Sequence, residues 1–382
     1  MLGENETGLT DSIRLKRKGG FSIFTSEQLH RAAVIRESLL RSVGLKGDPG
    51  QLIDYPAERP VVVVGPGLTE MPVPGWGAVE SIVWDQHLLL KNRKIPSVLV
   101  NTWKLSSWIR LLKIKPRLVI CHYDDLVWHS TFLAKLSGAQ LIVVSHNPFS
   151  SQANLWTPGF KNFLRAAGRA DRFVALSHQI EEAILSFSKS FVTSVIPNGV
   201  KVSDFSFRNK ALSSKKFVTV GKVDDRKRQI ELARRISKEV DLSIIGPYTR
   251  SVDVSSFGSN IHFLGEWTKE QVRSSLTNFS ALILISRAEA DAMVIHEARA
   301  AGLAVFATET AIGASSESVG ELMGLHVIAD SLEDLNEVVV GTYCPDSDRE
   351  HIRKTEFEKF DLSVNHSRWL QLIHSHLDRV EK

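Results

Sequence analysis

Two carboxylates, Glu289 and Glu297, bracket seven residues in the stretch ILISRAEADAMVIHEARAAGLAVFAT (283 to 308). Ionised carboxylates accept hydrogen bonds from neighbouring hydroxyls, so the pair suits a polyhydroxylated ligand, one holding a sugar and the other a ribose. The elements around them place them together. ALILIS (281 to 286) reads as a buried parallel strand, VIHEARAAG (294 to 302) as a helix stopped by Gly302, and LAVFAT (303 to 308) as the next strand. In such a βαβ unit ligands collect at the carboxyl ends of the strands. Glu289 then lies in the loop facing the ligand, and Glu297 about two turns along the helix.

Upstream, SVIPNGVKVSDF (194 to 205) is a short strand running into a Pro-Asn-Gly turn, and KFVTVGKVDDRKRQIELARRI (216 to 236) is a strand, a glycine, a basic loop and a helix. Pro197-Asn198-Gly199-Val200, then Gly221-Lys222 with Lys227 five residues on, then Glu289 and Glu297 follow one another in an order and spacing that resembles the C-terminal domain of the family 4 type of retaining glycosyltransferases (glycosyl transferases group 1). The resemblance implies an α/β chain with the GT-B fold. In that fold two Rossmann-like domains face each other across a cleft, and a C-terminal helix crosses back to the first domain. It implies a metal-independent, retaining transfer of a sugar from a nucleotide-sugar donor to a glycan or lipid-linked glycan, with no cofactor. Glu289, Lys222, Lys227 and His146 would be catalytic. Gly75, Gly77, Asn198, Gly221, Asp291, Ala292, Met293, Val294 and Glu297 would line the donor site.

The chain departs from the family pattern at several positions. Lys222 stands in place of the usual arginine, so a bidentate fork on phosphate becomes a point charge. Arg228 replaces the glycine that usually follows Lys227, Asp291-Ala292 replaces a common Phe-Gly, and Lys201 replaces a frequent aspartate. These departures keep two other readings open: a non-hydrolysing nucleotide-sugar epimerase of the same fold, and a degenerate glycan-binding or assembly subunit.

In the first half, PVPGWGAVESIVWDQHLLL (72 to 90) places Gly75 and Gly77 after the first strand and at the opening of a helix, where backbone can approach an anion closely. Glu80 is a candidate for the acceptor hydroxyl. His146 follows the apolar strand AQLIVVS, while His122 and Asp124 end the preceding strand as rivals for the same work. Asp346-Ser347-Asp348 matches a short metal-binding D-x-D pattern but reads as a helix cap, so no metal is expected.

The 382 residues provide for two domains: a preface (1–57) with one helix over 26–44, a first Rossmann-like domain (58–190), a second (191–361) and a crossover helix (362–382). Composition, 43% hydrophobic and 24% charged, excludes a disordered chain, and a net charge of +4 without a recognisable motif argues against nucleic acid. Cys121 and Cys344 read as buried thiols. No apolar run spans a bilayer and the first residues do not resemble a signal peptide, so a cytoplasmic protein is expected. KLSSWIRLLKIKPR (104 to 117) reads as an amphipathic surface helix whose lysines and arginines offer a peripheral contact with anionic lipid, with RLKRK (14 to 18) a weaker candidate.

Overall fold

The computed structural model describes residues 47–55, 59–73, 77–146, 158–209, 215–248, 252–313, 324–341 and 348–380. The helix expected over 26–44, the basic run 14–18, Gly75, Cys344 and Asp346 lie outside them.

Short apolar runs become strands buried on both faces. Val61–Val64 (β2) has no exposed side chain because helices cover both sides of its sheet. The first sheet runs β1 (Gln51–Ile53), β3 (Ser97–Asn101), β2, β4 (Leu118–Cys121), β5 (Gln140–Val144), β6 (Arg172–Ala175) and β7 (Thr193–Val195), all parallel except β1. Its helices are α1 (Ala78–Asn92), α2 (Leu105–Lys113), α3 (Val127–Ser137), α4 (Pro158–Ala167) and α5 (His178–Phe187). The second sheet is fully parallel in the order β10 (Ile261–Gly265), β9 (Asp241–Ile245), β8 (Lys216–Val220), β11 (Ala281–Leu284), β12 (Ala304–Thr308), β13 (Leu325–Ile328). Around it lie α6 (Gln229–Arg235), α7 (Lys269–Ser275), α8 (Met293–Ala300), α9 (Leu335–Gly341) and α10 (Arg349–Phe360). Both sheets are Rossmann-like, and chain order reverses direction between β2 and β4 and between β8 and β11. The crevices where ligands collect open at those points.

Two boundaries differ from the sequence reading. Residues 48–54, assigned to the preface, belong to the first domain: β1 pairs with β3, and the Asp48 carboxylate accepts from Thr102 Oγ1 at 2.9 Å. A three-residue edge strand is too short to show a period in sequence. The strand before Pro197, assigned to the second domain, is β7 and pairs with β6, so the chain changes domain at the Pro-Asn-Gly turn. The crossover helix α11 (Leu362–Val380) returns as expected, burying Trp369, Ile373 and Leu377 in the core of the first domain.

Candidate active site

The turn Pro197-Asn198-Gly199-Val200 joins three distant segments. Asn198 N–H donates to Asp291 Oδ2 at 2.8 Å, and its side-chain amide donates to the Asp291 carbonyl at 3.3 Å. Asn365, on the first turn of α11, donates to the Pro197 carbonyl at 2.6 Å. A Cβ on Gly199 would stand 2.7 Å from Asn365 Cβ and 3.1 Å from Leu362 Cα, so the close approach of α11 requires glycine. The motif fixes the second domain against the helix that crosses to the first.

At the end of β8, Gly221-Lys222 is held by buried Gln229, whose amide donates to both carbonyls at 3.3 and 3.0 Å. Gly246, at φ 147°, lies so close beneath that a Cβ there would fall 2.0 Å from the Gly221 carbonyl oxygen. Lys222 is exposed. Across the crevice Glu289 accepts from Lys227 Nζ at 2.7 Å and from Arg226 at 2.8 Å. Burial pushes its carboxyl up, but the charges of Lys227 and Arg226 outweigh that and hold it below the usual range, so it is ionised at neutral pH. Arg228, where a glycine is usual, takes the left-handed conformation (φ 58°) and starts α6. Its guanidinium is fixed by Glu231 at 2.8 and 3.1 Å and by the Asp330 carbonyl.

The N-terminus of α8 opens on the same space, its first amides lacking intrahelical partners. Glu297, one face back along α8, has its pKa pushed up to about 7 by burial, against the lowering charges of Arg273, Lys269, His296 and Lys227. The Asp291 carboxylate is turned into the protein: Oδ1 lies 2.9 Å from His296 Nε2. His296 Nδ1 lies 2.7 Å from Glu356, whose other oxygen accepts from Arg299 Nε at 2.9 Å. Burial works against charge on His296, but the two flanking carboxylates outweigh it and push its pKa up to about 10. The result is a buried, alternating row of charges beneath α8.

From the first domain, His146 reaches the cavity at the end of β5. Burial lowers its pKa to about 4, countered only in part by the charge of Asp291. His122 stands behind it, also kept neutral by burial and by His146. Nδ1 of His122 is 3.1 Å from Nε2 of His146, and its Nε2 is 2.6 Å from Gln86 Oε1. An amide oxygen only accepts, so His122 carries its proton on Nε2 and accepts from His146 Nε2–H through Nδ1. His146 is left with Nδ1 as an acceptor.

One cavity of about 500 Å³ gathers Gly77, His146, Asn198, Gly221, Lys222, Lys227, Glu289, Asp291, Ala292, Met293, Val294 and Glu297. Three other candidates do not line it. Glu80 lies on the turn of α1 nearest Gly77, His122 serves His146 from behind, and Asp124 accepts from Ser145 Oγ at 3.2 Å. Asp348 is the N-cap of α10, accepting from His351 N–H at 2.9 Å, and Cys121 is a buried thiol pushed up to about 12.

The sequence reading passed over Arg226, Gln229, Asp85, Trp267, Lys269 and Arg273, of which all but Gln229 line the cavity. Lys269 bridges the two domains, donating to Ser81 Oγ at 2.5 Å. Burial raises the Asp85 carboxyl, offset in part by Lys269 and Arg273. The Thr268–Gln271 capping box marks the start of α7 and was the available signal for that wall.

A Glycosyltransferase Family 4 model matches residues 58–204, and a Glycosyl transferases group 1 model matches residues 214–343. Among solved structures, that of Anabaena HepE in complex with UDP and glucose aligns with a TM-score of 0.66 at 12% identity, covering 83% of this chain and 100% of that one. The apo lipopolysaccharide outer core galactosyltransferase WaaB aligns with a TM-score of 0.62 at 18% identity, covering 82% and 99%. Sucrose-phosphate synthase from Thermosynechococcus elongatus aligns with a TM-score of 0.61 at 17% identity, covering 96% of both chains. No curated protein sequence matches the chain.

Proposed function

Because this chain is a glycosyltransferase of the GT-B fold, we propose that it moves a sugar from a nucleotide-sugar donor to a glycan or lipid-linked glycan, with retention of anomeric configuration and without a metal. One observation carries the reading: Lys222, Lys227, the α8 N-terminus, Glu289 and Glu297 converge on one inter-domain cavity that His146 enters from the opposite domain. The HepE structure of the same fold holds UDP and glucose, which supports a nucleotide-sugar donor.

Breaking the bond from anomeric carbon to phosphate oxygen leaves a nucleoside diphosphate with growing negative charge. Lys222, Lys227 and the amides of α8 are fixed charges and dipoles aimed at that group, and such preorganised stabilisation is the largest single term in many enzymes. Glu289, ionised between two cations, accepts from hydroxyls of the transferred sugar, and Glu297 accepts from the ribose. Neutral His146 accepts a sugar hydroxyl through Nδ1. The acceptor oxygen forms its bond to the anomeric carbon on the face the phosphate leaves, and its proton passes to the departing phosphate oxygen. No protein base is required.

The test is a screen of UDP, GDP, ADP, dTDP and CMP sugars for nucleotide release, with and without EDTA, with the product anomer read by proton NMR. Turnover of one donor that resists EDTA, retains configuration and is lost in Glu289→Ala and Lys227→Ala is expected. Release abolished by EDTA and restored by a divalent ion would refute metal independence, and an inverted product would refute retention.

A further inference from the structure

The outer helical layer of the first domain carries features that the cleft does not use. The β2–α1–β3 and β3–α2–β4 connections run in opposite directions across the sheet, so right-handed crossovers place α1 on one face and α2, α3 and α4 together on the other. In contact with one another, these three form a layer. Their inward residues, Trp108 and Leu111 on α2 and Leu133 and Ala134 on α3, are buried in the core.

Their outward residues do not follow the usual polar pattern. Leu105 and Ile109, one turn apart on α2, are 59% and 52% exposed, and Phe132 and Leu136, one turn apart on α3, are 61% and 67% exposed. Leu136, Phe132 and Leu105 are the three most exposed large hydrophobic side chains among the described residues. Scattered single apolar residues on a surface are ordinary, but two such pairs on adjoining helices form a patch that marks an interaction surface.

The charge of the layer identifies what it meets. Between Asn101 and Ala170, the stretch that carries this layer, the sequence has nine Lys and Arg and only two acidic residues, Asp124 and Asp125, although the whole chain carries a net +4. The remainder of the chain is therefore net negative. Arg110, Lys113, Lys115 and Lys135 share the helices of the patch or flank them and are exposed. Arg110 lies 5.2 Å above the Tyr55 ring and Arg169 5.2 Å above that of Trp128, so basic and aromatic groups are interleaved at this surface.

We infer that this layer docks on an anionic lipid bilayer. Leu105, Ile109, Phe132 and Leu136 enter the boundary between headgroups and acyl chains, and Arg110, Lys113, Lys115 and Lys135 meet lipid phosphates. A second copy of this chain is disfavoured there, because a two-fold contact would press the same positive surface against itself. Among the described residues no helix is long and apolar enough to cross a membrane, so this contact lies on the bilayer. The inference does not depend on the identity of the donor.

The test is co-flotation of the full chain with vesicles of phosphatidylcholine alone and of phosphatidylcholine with phosphatidylglycerol. Wild type, Phe132→Ser/Leu136→Ser and Lys113→Glu/Lys115→Glu are compared after their melting curves are shown to match. Binding is expected only with the anionic lipid and is weakened by salt. The charge-reversed pair lowers the partition coefficient by about 25-fold or more, about fivefold for each basic side chain lost from the surface. The serine pair also loses binding, while both variants keep their affinity for soluble nucleotide. No flotation with anionic vesicles at low salt would overturn the inference. So would flotation that both variants retain, or sedimentation showing a dimer that the serine pair abolishes.

Discussion

Glu297 is the residue whose chemistry depends most on pH. Its raised pKa of about 7 means that the carboxylate able to accept two ribose hydroxyls is in the majority only above neutrality. Nucleotide affinity is therefore expected to rise as pH passes upward through about 7, and Glu297→Gln to flatten that rise, both read by calorimetry. The linkage to folding has the opposite sign. A carboxyl raised in the folded state contributes stability below its unfolded pKa, and that contribution is lost as pH rises through 7. At His146 the tautomer is set two residues away. Gln86→Leu removes the acceptor that holds the proton on His122 Nε2, so His146 loses its fixed tautomer. A fall in kcat of about tenfold or more is expected, with nucleotide affinity unchanged because Gln86 does not line the cavity. Equal kcat in Gln86→Leu and wild type would remove this relay from the account.

The elements explain why the motifs have their residue types. Glu289 and Glu297 were legible because a buried strand, a loop and a helix with a glycine stop leave little freedom in where two acids at that spacing lie. Asp291 was legible as a neighbour of the site but not as a clamp, since its partners Asn198 and His296 depend on tertiary packing. Nothing local in sequence distinguishes His296 from a surface histidine of an amphipathic helix, because its partner Glu356 lies 60 residues away. Removing the cation with His296→Gln leaves two buried carboxylates facing one another. A loss of about 3–5 kcal/mol in urea unfolding is expected, as for other broken buried pairs. Arg228 is the converse case, a departure in sequence that the backbone accommodates. Arg228→Gly relieves about 1–2 kcal/mol of left-handed strain while losing a part-buried, charge-assisted contact to Glu231 worth about 1–2 kcal/mol, so little net change is expected. Arg228→Ala keeps the strain without the pair and should be the less stable of the two in the same assay.

Over the whole molecule, alternation of apolar strands with helical stretches indicated both sheets, and the C-terminal apolar spacing indicated the helix that returns to the first domain. What the alternation did not give was the exact change of domain. β7 is three residues long and lies immediately before the turn, so only its pairing with β6 assigns it. The inter-domain contact from Lys269 to Ser81 and the wall made by Asp85, Trp267 and Arg273 were hidden for a related reason. Each is an ordinary polar or aromatic residue until two domains are brought face to face. The account rests on that assembled cavity being a nucleoside-diphosphate site held by Lys222 and Lys227. The most direct measurement is a calorimetric titration of UDP, GDP, ADP and dTDP into wild type, Lys222→Ala and Lys227→Ala, with EDTA present. The account predicts that one nucleotide binds the wild type and that each variant loses at least about tenfold in affinity, the loss of a charge-assisted phosphate contact. No binding by any of the four nucleotides, or binding by both variants as tight as that of the wild type, would contradict it.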